Sequence, residues 1–181
     1  MNKHLQSVRT FHERLNVPQA VPGESMKLSD MEIIKFQSLL MEAGSELLKA
    51  IKAGEMAEIL LGLIDLAYVA LAALARQGAD IVDQPIEWRL DGFVLSVMRI
   101  VSDKINDCSS GEPDNYSAVY CLCVHLSRGF VNADFDKAFQ CVELHALLRL
   151  SKSGESLYDD TEHRRTAKLK NSPDLSECLY E

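Results

Sequence analysis

The sequence has no excess of positive charge. Of its 181 residues, 19 are lysine or arginine and 27 are aspartate or glutamate, giving a formal net charge of -8. No basic stripe interrupts this balance, which argues against a nucleic-acid polymer as partner. A cysteine framework is also missing. Cys108, Cys121, Cys123, Cys141 and Cys178 are odd in number and irregular in spacing, as expected of reduced thiols in the cytoplasm. The opening stretch "MNKHLQSVRTFHERL" carries no apolar run of signal-peptide type. One membrane-like stretch exists, residues 59–75, but it is short for a span and is broken by Asp65. A buried core helix is expected there, and no membrane partner. Alternating strand patterns, internal repeats, low-complexity tracts, a glycine-rich phosphate loop and a Ser-His-Asp set are all absent.

What is present is helical periodicity. A short first helix is expected over about 3–15, stopping before Pro18, with "VPQAVPGES" as a connecting loop. Ser29 followed by Glu32 reads as a capping box that opens a second helix running to about Ala53. Ile33, Phe36, Leu40, Leu47 and Ile51 mark its apolar face. A third helix is expected from about Glu55 to Gln77, between Gly54 and Gly78. The one-glycine joint favours an antiparallel hairpin over a kinked continuation. Further helices are expected over 86–106, 115–131 and 134–151, with "DCSSGEPDN" as a polar loop and a charged tail from Ser153 onward.

Within the hairpin, acidic residues fall into register. Glu58, Gly62 and Asp65 share one stripe, and Glu42 and Glu46 share another on the preceding helix. A tight turn allows the stripes to face each other. Four converging carboxylates would repel unless a magnesium or manganese ion lay between them. Such an ion binds phosphate oxygens and activates water. The plainer alternative is a solvated face, with Lys49 beside Glu46, Glu58 favoured in a first helical turn, and Asp65 satisfied by a neighbour. Two Cys–His pairs, Cys121 with His125 and Cys141 with His145, have zinc-ligand spacing, against small thiols that merely pack a bundle.

The segment "LLMEAGSELLKAIKAGEMAEILLGLIDLAYVALAALARQGAD" resembles the all-α nucleoside triphosphate pyrophosphohydrolases, which include MazG-like proteins, dimeric dUTPases and phosphoribosyl-ATP pyrophosphohydrolases. "FHERLNVP", "LSKSGESLYDD" and "KLKNSPDLS" are similar to the flanks of that group's small phage and bacterial branch. The resemblance covers about 5–80 and 134–178, leaving about 81–133 as a two-helix insertion. It implies metal ligands at Glu42, Glu46, Glu58 and Asp65, with Glu46 and Glu58 closest to catalysis. It implies phosphate contacts at Lys152 and Lys168, in a basic set with Arg164, Arg165 and Lys170. Three positions depart from the family pattern: Ala43 and Leu61 stand where carboxylates are usual, and Arg149 replaces an asparagine. Glu55, Glu87, Asp91 and Asp103 are the alternative acids.

The expectation is an all-α helical bundle: one domain over 1–152 and a polar tail over 153–181. The resemblance implies a homo-oligomer, dimer or tetramer, and the cysteine usage a cytoplasmic location. The nearly all-round apolar third helix also suggests burial against a partner copy. The implied reaction is divalent-metal-dependent hydrolysis of a nucleoside triphosphate to monophosphate and pyrophosphate. The alternative is an inactive relative that binds nucleotides or proteins.

Overall fold

A computed structural model describes residues 1–83, 94–153 and 172–180, with the backbone alone over 149–153. Among the described residues are six α-helices and no strand: α1 (Lys3–Arg14), α2 (Asp30–Ala53), α3 (Met56–Gln77), α4 (Val94–Asp107), α5 (Pro113–Gly129) and α6 (Phe135–Ser153). The all-α expectation holds. The first part of the helix expected from residue 86 lies outside the described residues.

Local chemistry sets the ends of the central hairpin. Ser29 and Glu32 form the capping box at the start of α2, which satisfies backbone donors that have no partner within the helix. Gly54 and Gly78 end α2 and α3 in the left-handed region, at φ +79° and +71°, where a side chain is disfavoured. A Cβ at Gly78 would also stand 2.4 Å from the Glu24 carbonyl oxygen. The Glu32 carboxylate then accepts from Arg76 Nε at 2.6 Å, joining the start of α2 to the last turn of α3. The two helices therefore run antiparallel, as the short joint predicts. Gly62 brings them together, since a Cβ there would lie 3.0 Å from Leu47 Cα.

α3 is the axis of the bundle. From Ile59 to Ala75 every residue is buried except Asp65 and Tyr68, which are half-buried. Its neighbours are α1, α2, α5 and α6 of the same chain. The apolar surface that suggested a partner copy is covered internally, because α5 lies along it and places Tyr116, Val119, Leu122 and Leu126 in the core. Burial of α3 is thus no argument for an oligomer. α3 has the length and apolarity of a membrane span, but protein covers most of it.

The end of the chain is more ordered than a charged tail suggests. Over 172–180 it returns to the α5–α6 corner. Asp134 N–H donates to the Cys178 carbonyl and Tyr180 N–H to the Asn132 carbonyl, each at 2.9 Å. Lys137 Nζ donates to the Glu177 carbonyl at 2.7 Å. Leu175 and Cys178 are buried beneath this bridge.

Candidate functional site

The four candidate carboxylates lie on α2 and α3, on either side of the seam between them. α2 buries Phe36, Leu40, Ala43, Gly44, Leu47 and Ile51. Glu42 is half-buried and Glu46 is exposed. Glu46 Oε1 accepts from Lys49 Nζ at 2.8 Å. On α3, Glu58 is exposed in the first turn, and Asp65 is half-buried two turns later.

The expected cleft of four converging carboxylates is not present as a preformed cage. Among the described residues, no three acidic, histidine or cysteine side chains stand close enough to hold a metal ion. The physical reason is visible at the two departures from the family pattern. Ala43 is 6% exposed and Leu61 is 7% exposed, and both belong to the hydrophobic core. Hydrocarbon fills the core where the resemblance calls for two further carboxylates. The described residues do not form a resident metal centre.

Glu55 and Asp103 are exposed. Glu87, Asp91, Arg164, Arg165, Lys168 and Lys170 lie outside the described residues, as do the side chains of Arg149 and Lys152. The two Cys–His pairs form no metal cluster among the described residues. Cys108 and Cys123 are instead buried; burial pushes the Cys108 thiol up to about 12 and the Cys123 thiol up as well. They pack as small apolar groups.

α1 supplies groups that spacing arguments passed over. Phe11 and His12 both meet the ring of Tyr68, at centroid distances of 6.3 and 6.1 Å. Tyr68 is three residues from Asp65 and shares its face of α3. His12 is buried, and burial, helped by the positive charge of Arg9, lowers its pKa to about 4. It is therefore neutral at neutral pH. Arg9 is buried too, and its Nη1 donates to the Ala20 carbonyl at 3.0 Å. The available signal was the face they share with Leu5 and Val8, which places two polar side chains on the inward stripe of an amphipathic helix.

The start of α1 is fixed by a second buried histidine. His4 Nδ1 lies 2.7 Å from the Tyr120 hydroxyl and His4 Nε2 lies 3.1 Å from Asp136 Oδ1. Burial lowers the His4 pKa, with Asp136 opposing that shift. The set has the order of a catalytic relay, yet Tyr120 is only 6% exposed and the rings of Phe135 and Phe139 lie against His4. It acts as a clasp that holds α1 to α5 and α6.

Residues 8–85, which span most of α1 and all of α2 and α3, match the family described as Phosphoribosyl-ATP pyrophosphohydrolase. The likeness covers 78 of the 181 residues, and the matched family belongs to the all-α nucleoside triphosphate pyrophosphohydrolase superfamily, whose members act on nucleotides and are typically dependent on divalent metals. No curated protein and no solved structure matches the chain.

Proposed function

Taking residues 8–85 as a pyrophosphohydrolase-type segment, we propose that the protein takes a nucleoside triphosphate and hydrolyses it to the monophosphate and pyrophosphate. The α2–α3 hairpin carries this reading. The family match covers all of it, and it keeps Glu42, Glu46, Glu58 and Asp65 on its two helices. The incoming triphosphate is written as its complex with a divalent ion, so the cation arrives with the substrate. Magnesium in such complexes keeps several waters and needs only one or two protein carboxylates beside the phosphates. Glu46 can leave Lys49 at little cost, because an exposed ion pair contributes about 0–1 kcal/mol. Glu46 and Glu58 are assigned to the reacting phosphate, Glu42 and Asp65 to support, and Lys152 and Lys168 to the remaining phosphate charge.

One observation favours a second reading. Ala43 and Leu61 are packed in the core, so the carboxylate set is reduced and not preorganised. A relative that binds a nucleotide without turning it over would show this pattern.

Incubation with a panel of nucleoside triphosphates and magnesium or manganese, with assay of released pyrophosphate, separates the two. Turnover that is lost in Glu46→Gln and Glu58→Gln supports hydrolysis. Thermal stabilisation by a nucleotide with no pyrophosphate released supports binding alone. If neither response occurs with any triphosphate, both readings fail.

A further inference from the structure

A solvent-open groove between α2 and α4 offers about 690 Å³. That volume lies in the range of small-molecule sites, which are mostly apolar with a few placed polar groups. Met41 and Leu48 of α2 form one wall, and Val94, Met98 and Ile105 of α4 form the other. Gly44 lies at its base, where a Cβ would sit 2.5 Å from Ile105 Cδ1. The missing side chain leaves room for the Ile105 terminal methyl.

The polar groups are at the two ends. At one end Gln37 Nε2 donates to the Ile105 carbonyl at 3.1 Å. Gln37 Oε1 is buried there with no hydrogen-bond partner among the described residues. At the other end are Lys49 and Lys52, in the last turns of α2. The carbonyls ending a helix favour cations, so the two lysines reverse the local sign. Lys49 also pairs with Glu46 at 2.8 Å, an exposed ion pair that an incoming anion can displace; with Lys52 it places positive charge at the mouth of an apolar groove in a chain of net charge -8.

Length and charge point to the occupant. Fifteen residues separate Gln37 from Lys52, which is about 22 Å of helix at ~1.5 Å per residue. An extended alkyl chain can lie along an apolar groove of that length, and the lysines at one end suit an anionic headgroup.

We propose that the α2–α4 groove binds a long-chain amphiphilic anion, an alkyl carboxylate in the simplest case, with its headgroup at Lys49 and Lys52 and its chain against Met41, Leu48 and Met98. The proposal does not rest on the nucleotide reading, but the two share the Glu46–Lys49 ion pair, so Lys52→Glu, which leaves that pair intact, is the variant that tests the groove alone.

The test is a calorimetric titration of the full chain with dodecanoate below its micellar concentration, beside dodecyltrimethylammonium as a control of equal chain length. The expected result is saturable one-to-one binding, with the carboxylate at least tenfold tighter than the ammonium. Lys49→Glu with Lys52→Glu should remove that preference. Met41→Glu, at a position 61% exposed and so neutral for folding, should weaken the carboxylate at least tenfold. Equal binding of the two amphiphiles, no binding of either, or lysine variants that bind like the parent would each overturn the proposal. So would an experimental structure in which the chain's own residues, a second copy or a partner protein fill the groove.

Discussion

At the scale of single residues, the buried histidines of α1 have a direct consequence for acid stability. The His12 pKa falls from 6.5 to about 4 through burial and the nearby Arg9 charge. The folded protein therefore binds fewer protons than the unfolded chain between those values. The stability held by neutral His12 is complete above pH 6.5 and is lost progressively as pH falls towards 4. The linkage corresponds to roughly 3 kcal/mol. His4, lowered in the same direction, adds to the slope. Urea unfolding of the parent at pH 7 and pH 4.5 should show this loss, and His12→Gln should flatten it. A parent whose midpoint does not move over that range would show that His12 is solvated in solution.

Ala43 and Leu61 are read in the opposite sense, as carboxylates no longer present. Ala43→Glu with Leu61→Asp would bury two acids without a partner and should lower stability by about 3–5 kcal/mol. Manganese at about one hundred times its dissociation constant should return roughly 2.7 kcal/mol. Thermal melts with and without manganese measure both effects, and Leu61→Asp alone serves if the double variant does not fold. A melt indifferent to the metal would mean that the seam has lost the geometry as well as the ligands.

At the scale of elements, two glycines on the hairpin give a contrast. Adding a Cβ at Gly62 meets Leu47 backbone at 3.0 Å, whereas at Gly44 it meets only the tip of Ile105. Alanine gains about 1 kcal/mol of helix propensity at either site. Ile105 can turn its terminal methyl aside, but Leu47 Cα cannot move without moving α2. Gly62→Ala should therefore lower stability by about 1–2 kcal/mol, while Gly44→Ala should be close to neutral. Chemical denaturation of the two variants checks the ordering, and a stabilised Gly62→Ala would refute the close-approach argument.

This seam also explains what was legible in the sequence. The boundaries of α2 and α3 could be read from Ser29, Glu32, Gly54 and Gly78 because capping is local chemistry. The hairpin followed from the length of the joint. Convergence of the acids could not be read with the same confidence. Helical spacing puts Glu42 with Glu46 and Glu58 with Asp65, but it does not fix how far each stripe is rotated from the other helix. Rotation is set by packing, and Ala43 and Leu61 are the packed residues.

At the scale of the molecule, the part least visible in the sequence is the return of the chain end. Helical periodicity carries no signal for a segment held by backbone hydrogen bonds to residues some forty-five positions away, from Cys178 back to Asp134 and from Tyr180 back to Asn132. Only Leu175 and Cys178 anchor it with buried side chains, and in a polar tail two such residues look incidental. Their burial is nevertheless large for so short a segment: a fully buried leucine side chain contributes about 1.5–3 kcal/mol. The segment also covers the Ala133–Asp134 corner, where α6 begins. A chain ending at residue 171 should therefore lose about 2–3 kcal/mol of stability, and the loss should be local. The Asp134 amide, which donates to the Cys178 carbonyl at 2.9 Å, should exchange its proton faster by an order of magnitude or more. Amides in the middle of α3 should change only as far as global stability does. Hydrogen exchange followed residue by residue distinguishes the two. Unchanged protection at Asp134 would mean that the chain end does not hold this corner in solution.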